Sequence, residues 1–258
     1  MATLLGPEDP PAIEVVRPEG SSEFVLVCDH ASNVIPRRLG TLGLGPEDLA
    51  SHIAWDPGAA WVARRLSELL DATLVLAGFS RLVIDCNRPP PSPQSIAEQS
   101  AGVVVPGNLD LSAADRAARV DELFEPYQRT IAAILDARAA ILDARTARPT
   151  SLLAIHSFTP NMPGQDRPWP ISVAYGRDRT LAAALIAGLA KTGDFLIGDN
   201  QPYAIGREFD YTIPIHGEDR GLACAMIEIR QDGLTTATDA ATWAGRLAVA
   251  IRGLVNPT

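Results

Sequence analysis

The sequence predicts an α/β fold in which helices cover a central sheet. Short apolar runs alternate with longer segments whose apolar residues recur at helical spacing, and this alternation is typical of layered α/β proteins. Most of the short runs lack alternating polar residues, as expected for strands that are buried on both faces. With 258 residues, of which 47% are hydrophobic, we expect one domain over residues 1–258.

Seven apolar runs are predicted to be strands. In chain order they are Phe24 to Cys28, Thr73 to Ala77, Arg81 to Asp85, Ser151 to Ile155, Ile171 to Tyr175, Phe195 to Gly198 and Ala225 to Ile229. Proline-rich breaks follow two candidate strands, at Pro89 to Pro93 and at Pro160 to Pro170. Loops that follow strands in this way often carry binding residues, so we expect both breaks to lie near a site.

Four segments have the apolar spacing of helices. The residues that define them are Val62, Leu66 and Leu69; Val120, Leu123, Tyr127, Ile131 and Ile134; Leu181, Leu185 and Leu189; and Trp243, Leu247, Ala250 and Leu254. We expect Pro126 to kink or split the second segment, because proline has no backbone N–H to donate.

Composition excludes several classes of protein. Lysine and arginine number 22 against 31 acidic residues, a net charge of −9, so a nucleic-acid partner is not expected. No apolar stretch approaches the roughly 20 residues that span a bilayer, and the first residues do not resemble a signal peptide. We therefore expect a cytoplasmic protein with no membrane partner. Its three cysteines, Cys28, Cys86 and Cys224, are expected to be buried thiols. The sequence leaves the oligomeric state open.

Ionisable residues end four of the predicted strands. Asp29 and His30 follow the first, Asp85 leads into Asn87 and Arg88, His156 follows the fourth, and Glu228 lies in the last. Ligands of open α/β sheets bind outside the carboxyl ends of the strands, so these side chains are expected to converge. Histidines and carboxylates together with arginines indicate a metal ion, with Zn²⁺ favoured by ligand type, and an anionic substrate.

Each of these residues also has a simpler interpretation. His30 and His156 would then be hydrogen-bonded turn residues, and Arg81 and Arg88 would only cap the sheet edge. Glu228 would be an outward-facing strand carboxylate. If its strand is central, however, a metal ion, Arg230 or a water molecule must satisfy it.

Two further histidines carry weaker signals. His52 precedes Asp56 by four residues, but the Pro57-Gly58 pair argues against a regular helix there, so we expect a packing or supporting role for it. His216 lies in a predicted loop, where we expect it to be solvated.

Eight segments resemble one known family. They are Cys28 to Pro36, His52 to Ala59, Ser80 to Pro89, Val105 to Asn108, Ala154 to Pro160, Arg167 to Trp169, Gly198 to Asn200 and Ile227 to Asp232. Through them the chain resembles the N-formylglutamate amidohydrolase family from Phe24 to Asp232. That family is similar in fold to the zinc carboxypeptidases and aspartoacylases, so the resemblance implies three layers, with a mixed, mostly parallel sheet between helices.

The resemblance implies a hydrolase that removes a small N-acyl group from an acidic amino acid. The reaction would convert N-formyl-L-glutamate and water into formate and L-glutamate, a step of histidine catabolism. The partner would be a small anionic N-acyl amino acid, and the cofactor one Zn²⁺ ion per chain.

The resemblance also implies the metal ligands. His30 and His156 match the zinc histidines of the broader group. Asn33 stands where that group has a glutamate ligand, and we therefore expect Asp56 to supply the carboxylate.

The remaining roles come from the same resemblance. Glu228 matches the carboxylate that activates water, and Arg81 matches the arginine that stabilises the oxyanion. Asn87 and Arg88 match the pair that holds the substrate carboxylate. Gln128 stands where similar chains lead us to expect a histidine.

Two other functions remain open from the sequence. Cys28 would be the nucleophile of a metal-free amidase with His30 as its base, although no cationic neighbour in the sequence would lower its pKa. A non-catalytic sensor of acidic N-acyl metabolites would instead bind the anion through Arg81 and Arg88.

Overall fold

The structure is a computed structural model that describes residues 3–142, 149–162 and 164–255. The strands are β1 (Ile13–Val16), β2 (Phe24–Cys28), β3 (Thr73–Ala77), β4 (Gln99–Ser100), β5 (Val103–Val104), β6 (Ser151–Phe158), β7 (Ile171–Ala174), β8 (Ile197–Asp199) and β9 (Ala223–Arg230). The α-helices are α1 (Pro46–Ala50), α2 (Ala59–Leu70), α3 (Ala113–Arg119), α4 (Glu125–Leu142), α5 (Thr180–Leu189) and α6 (Ala237–Val255).

Seven strands form the main sheet in the order β1-β3-β2-β6-β9-β7-β8. The central strands β3, β2, β6 and β9 are parallel to one another. β1 pairs antiparallel with β3, and β7 pairs antiparallel with β9 and parallel with β8. The sheet is therefore mixed and mostly parallel, as expected, and β4 and β5 form a separate hairpin.

Helices pack on both faces of the sheet, because alternate residues of each strand point to opposite sides. In β2, Leu26 belongs to a core cluster with residues of α2, α5 and α6. Its neighbour Val27 belongs to a second cluster with Tyr127 and Ile131 of α4. Three layers result, which confirms the predicted α/β class.

The segment from Arg81 to Asp85, predicted to be a strand, is instead a turn that leads into an irregular segment. The backbone N–H of Val83 donates to Ser80 O at 2.9 Å, as in a turn. Residues 82–84 are buried in a third cluster that contains Phe124, away from the sheet. The prediction was wrong because their apolar character reflects burial among loops rather than strand pairing.

The second predicted helical segment contains a π-helical turn just before Pro126. A π-helical turn, Val120–Phe124, joins α3 to α4, and Pro126 lies in the first turn of α4. Proline is accepted in a first helical turn, where its missing N–H costs little, so the segment is divided where the sequence predicted.

Cys28, Cys86 and Cys224 are free and buried, also as predicted. Within the described ranges, no helix is both long enough and apolar enough to cross a membrane.

Candidate active site

Three buried side chains from distant parts of the chain meet at the carboxyl end of the parallel strands. His30 follows β2, Asp56 precedes α2 and His156 lies in β6. Each is 3% exposed, and one ligand atom from each lies within 4.8 Å of the others. The structure thus brings together the three residues that the sequence predicted as metal ligands.

Local backbone geometry holds Asp56 against His30. The N–H of Asp56 donates to the carbonyl of His30 at 3.0 Å, which ties the two loops together. Gly58 then starts α2 with a left-handed φ of 80°, and a Cβ there would lie 2.5 Å from the Cβ of Leu234. Only glycine suits this position, which explains the Asp-Pro-Gly sequence beside the site.

Both imidazoles present the same ring atom to Asp56. Nδ1 lies 3.3 Å from Asp56 Oδ2 in His30 and 2.9 Å from it in His156. On the far side of each ring, His30 Nε2 lies 2.7 Å from Asp85 Oδ1 and His156 Nε2 lies 2.9 Å from Asp29 Oδ2. Carboxylates in this position fix the orientation of metal-binding histidines.

The roles of Asp29 and Asp85 were missed from the sequence. Asp29 also accepts a hydrogen bond from Thr212 Oγ1 at 2.7 Å. Asp85 accepts hydrogen bonds from Arg81 Nε and from the backbone N–H of Asn87, both at 2.9 Å. Their position at the ends of apolar runs was a visible signal, but the pairing with particular histidines depends on the fold.

The surrounding carboxylates favour the protonated, positively charged form of both imidazoles. Burial alone would lower the pKa of His156, but Asp29 and Asp56 raise it well above its ordinary value. Burial and Arg81 oppose protonation of His30, but Asp85 and Asp56 outweigh them and raise its pKa. Burial alone would raise the pKa of Asp56, yet the two imidazoles hold it far below its usual range.

The same cluster suits a divalent cation. Two imidazole nitrogens and one carboxylate oxygen are a common donor set of catalytic zinc sites, which leave a further position open. A cation between these atoms would stand in place of the imidazolium protons, which metal binding displaces. The donor chemistry and the buried negative charges therefore fit a metal ion held by His30, Asp56 and His156.

Glu228 is a further buried carboxylate beside this cluster, on the neighbouring strand β9. It lies opposite His156 in the pairing of β6 with β9 and is 6% exposed. Its Oε2 atom is buried and has no hydrogen-bond partner among the described residues. Burial, with the negative charge of Asp56 as a lesser cause, raises the pKa of Glu228 to about 7. Such a group is suited to proton transfer near neutral pH.

Two arginines face the same cavity. Arg81 donates through Nε to Asp85 Oδ2 at 2.9 Å, and its Nη1 atom lies 3.7 Å from Asp56 Oδ1. Arg88 donates through Nη1 to Asp210 Oδ1 at 3.3 Å. Both guanidiniums line the cavity, so positive charge lies beside the histidine cluster as the sequence predicted.

Asn87 lines the cavity, but its amide is already engaged. Its Nδ2 donates to Asp210 Oδ1 at 3.0 Å, and its Oδ1 accepts from the N–H groups of Tyr211 and Thr212, both at 3.0 Å. In the structure Asn87 therefore holds the segment that carries Asp210. Direct binding of substrate by Asn87 stays a prediction, and it would require this amide to exchange partners.

The cavity has a volume of about 400 Å³. His30, Asp56, His156 and Glu228 lie in its wall, and so does the half-buried His52. Burial, followed by the charge of Arg81, lowers the pKa of His52. The loop between β8 and the π-helical turn Ile213–Gly217 contributes much of the remaining wall. The sequence carried no signal for that contribution.

Three residues that the sequence singled out lie outside the cavity wall. His216 is buried, not solvated as predicted, because its π-helical turn brings its Nε2 atom to within 2.9 Å of Gln128 Oε1 on α4. Gln128 also donates to the carbonyl of Cys86 at 2.6 Å. Asn33 donates to the carbonyl of Leu49 at 2.9 Å. Asn33 and Gln128, at which the chain departs from the expected pattern, therefore make structural contacts.

A cysteine nucleophile is disfavoured by the surroundings of Cys28. The thiol is buried, and burial together with the charges of Asp56 and Asp29 raises its pKa well above the ordinary value. The reactive form of cysteine is the thiolate, which this environment opposes.

Comparison with known proteins identifies the family of this chain. A family model described as N-formylglutamate amidohydrolase matches residues 22–235. This chain belongs to the N-formylglutamate amidohydrolase family. The match covers β2 through β9 and so includes every residue of the cavity described above.

Solved structures include relatives of this family member. A gene product from Agrobacterium tumefaciens is 38% identical, with a TM-score of 0.91 and 98% of each chain covered. An N-formylglutamate amidohydrolase from Ralstonia eutropha is 18% identical, with a TM-score of 0.66, covering 94% of this chain and 97% of that one. No curated protein matched the sequence. Membership in the family supports an amidohydrolase activity.

Proposed function

We propose that this family member is a zinc-dependent hydrolase of the N-formyl, or a small N-acyl, amide of an acidic amino acid. The reaction would convert N-formyl-L-glutamate and water into formate and L-glutamate. The observation that carries the proposal is the buried group of His30, Asp56 and His156 beside Glu228, whose Oε2 atom has no hydrogen-bond partner among the described residues. Placement in histidine catabolism and in the cytoplasm stays a prediction from the sequence.

His30, Asp56 and His156 would hold one zinc ion, with Asp85 and Asp29 orienting the two imidazoles. Bound there, zinc would supply Lewis-acid polarisation of the amide carbonyl and would acidify water. Zinc is preferred because imidazole and carboxylate are its usual ligands in catalytic sites.

Glu228 is proposed as the general base and then the general acid. Its raised pKa lets it take a proton from the attacking water near neutral pH and pass that proton to the leaving amine. Because its Oε2 atom lacks a protein partner within the described residues, it is available to a water molecule. The proton thereby moves from water to the product amine without entering bulk solvent.

The two arginines divide the anionic groups of the substrate between them. Arg81 is proposed to face the oxygen that becomes negative in the tetrahedral intermediate, since its guanidinium lies beside Asp56. Arg88 is proposed to pair with the substrate carboxylate, and Asn87 would support it by holding Asp210. Fixing both ends of the substrate would orient the scissile amide.

Formate release tests the proposal. Purified protein would be stripped of metal, reloaded with zinc, and assayed with N-formyl-L-glutamate in the presence and absence of a chelator. We expect formate release from the zinc-loaded protein and its loss with chelator. Binding of N-formyl-L-glutamate without formate release would contradict the proposal and favour the non-catalytic sensor.

A further inference from the structure

Part of the cavity wall is apolar and begins close to Glu228. Met226 precedes Glu228 by two residues on β9, so both side chains lie on the same face of the sheet, about 7 Å apart along the strand. Ala174 of β7 pairs with Met226 in the sheet, and both line the cavity. The part of the cavity wall that β9 forms therefore changes from charged at Glu228 to apolar at Met226.

The loop after β8 extends this apolar surface. Ile205 is partly buried against the core cluster that contains Met226 and Ala174, and it lines the cavity with Tyr203 and Phe209. We call these five residues, Ala174, Tyr203, Ile205, Phe209 and Met226, the apolar wall.

Two aromatic side chains of the apolar wall remain open to solvent. Tyr203 is 40% exposed and Phe209 is 51% exposed. Exposed apolar surface beside a cavity often marks a ligand-binding groove. Aromatic rings there would lose their contact with water when a ligand packs on them.

Polar contacts hold both aromatic residues in place. Arg167 donates through Nη2 to Tyr203 Oη at 2.9 Å, and its guanidinium lies 5.0 Å from the centre of the Tyr203 ring. The N–H of Phe209 donates to the carbonyl of Gly206 at 2.8 Å. The next residue, Asp210, accepts from Gly206 N–H at 3.0 Å and from Asn87. Polar contacts within the described part of the chain therefore position both aromatic residues beside the cavity.

The size of the cavity also favours a ligand with an apolar group. Its volume of about 400 Å³ lies within the range of about 300–1,000 Å³ that is usual for sites that hold drug-sized ligands. N-Formyl-L-glutamate has one formyl group, two carboxylates and two methylenes, so it offers little apolar surface to this wall. The roles proposed for the charged groups of the cavity account for the amide and for one carboxylate. They leave the second carboxylate of N-formyl-L-glutamate without a partner, and the apolar wall without a ligand group.

We propose that the preferred substrate is an N-acyl amino acid that carries an apolar group as large as a phenyl ring or a branched alkyl chain. This group packs on the apolar wall while the carboxylate pairs with Arg88. The inference rests on the proposed amide hydrolysis, keeps its amide and its carboxylate, and adds an apolar group to the preferred substrate. The apolar group belongs either to the acyl part or to the amino-acid side chain.

A substrate series separates these possibilities. The zinc-loaded full chain would be assayed with N-formyl-L-glutamate, N-formyl-L-phenylalanine, N-formyl-L-leucine and N-benzoyl-L-glutamate. We expect kcat/KM for at least one of the last three to exceed that for N-formyl-L-glutamate by about tenfold, which is the usual effect of a few apolar contacts in a pocket. A preference for N-benzoyl-L-glutamate assigns the wall to the acyl group, and a preference for the formylated apolar amino acids assigns it to the side chain.

Variants locate the preference in the protein. Phe209→Ala and Ile205→Ala are expected to remove most of the preference, and Phe209→Leu is expected to keep it. Leu196→Ala is the matched control, since Leu196 is also exposed and apolar but lies outside the cavity wall. Thermal melting of each variant checks that it is folded.

The outcomes are distinct for the two proposals. If N-formyl-L-glutamate is hydrolysed at least as efficiently as the apolar substrates, the inference is overturned and the proposed function stands. A preference that survives in both Phe209→Ala and Ile205→Ala also overturns the inference. If the zinc-loaded protein hydrolyses none of the four compounds, the proposed function itself fails, and the inference fails with it.

Discussion

His30 and His156 stand edge to face, with ring centroids 4.9 Å apart and an angle of 78° between the ring planes. One residue follows β2 and the other lies in β6, and these two strands are neighbours in the parallel sheet. Strand pairing therefore brings together two histidines that are far apart in the sequence. Their Nδ1 atoms face Asp56 between them.

Removal of both histidines should abolish zinc binding. We expect the zinc-reconstituted native protein to hold about one zinc ion per chain and the His30→Ala, His156→Ala double variant to hold almost none, because a single carboxylate cannot replace three ligands. Elemental analysis after gel filtration measures this. His216→Asn is the control, since His216 is buried outside the cavity wall. Full zinc occupancy in the double variant would refute the site.

Asp29→Asn should weaken zinc binding without removing a ligand. Asp29 contacts His156 Nε2 at 2.9 Å and accepts a hydrogen bond from Thr212, so the amide would orient the ring less well. Loss of such a partner typically costs about 10–100-fold in metal affinity. Competition with a chromophoric chelator measures the affinity, with Asp136→Asn as a surface control. An unchanged affinity would mean that Asp29 does not support the metal site.

Glu228→Gln should lower kcat by about 10²–10⁴-fold, the usual contribution of a general acid–base group. Zinc content should not change, because Glu228 is not one of the three proposed ligands. A variant that retains the full formate-release rate would exclude Glu228 as the base.

Activity should also fall in acid as Glu228 gains a proton. Burial raises the pKa of this carboxyl to about 7, and a nearby cation would lower it again because it favours the ionised form. For the zinc-loaded protein we therefore expect kcat/KM to fall as the pH decreases, with its half-point below about pH 7. A profile that is flat from pH 4 to 8 would contradict this assignment.

Arg81 and Arg88 should affect different kinetic constants. Arg81→Ala should lower kcat by about 10²–10³-fold, since it removes a group that acts on the transition state. Arg88→Ala should mainly raise KM, because the carboxylate is bound in both the ground state and the transition state. Steady-state kinetics with N-formyl-L-glutamate distinguish the two effects. Equal losses of kcat in both variants would contradict the division of roles.

His216 should make the fold sensitive to mild acid. Burial, with the charge of Arg220 as a lesser cause, lowers its pKa to about 4, from an unperturbed value of 6.5. Between these values the unfolded chain binds the proton more readily than the folded chain. The free energy of unfolding should therefore fall as the pH drops from 6.5 to 4, by up to about 3 kcal/mol from this group.

Denaturant unfolding of the native protein and of His216→Asn tests this effect. The variant lacks the titrating group, and its stability should fall less steeply over the same range of pH. The measurement compares slopes, so a lower absolute stability of the variant does not affect it. Parallel pH profiles for the two proteins would contradict the assignment to His216.

The amino-acid sequence determined the layered α/β class and most of the strands, because burial on both faces leaves uninterrupted apolar runs such as residues 24–28. It also indicated His30, His156 and Glu228, since polar residues at the ends of such runs stand out. It did not distinguish the turn at Arg81 from a strand, because burial among loops selects the same apolar residues as burial in a sheet.

Only the tertiary structure decided which residues face one another. The pairing of Asp29 with His156, the burial of His216 and the apolar wall all depend on contacts between segments that are distant in sequence. No local pattern encodes such contacts, because they depend on strand order and loop path rather than on spacing along the chain. For this protein, the residue types proposed to carry the chemistry could be read from the sequence, whereas their partners and the shape of the cavity required the fold.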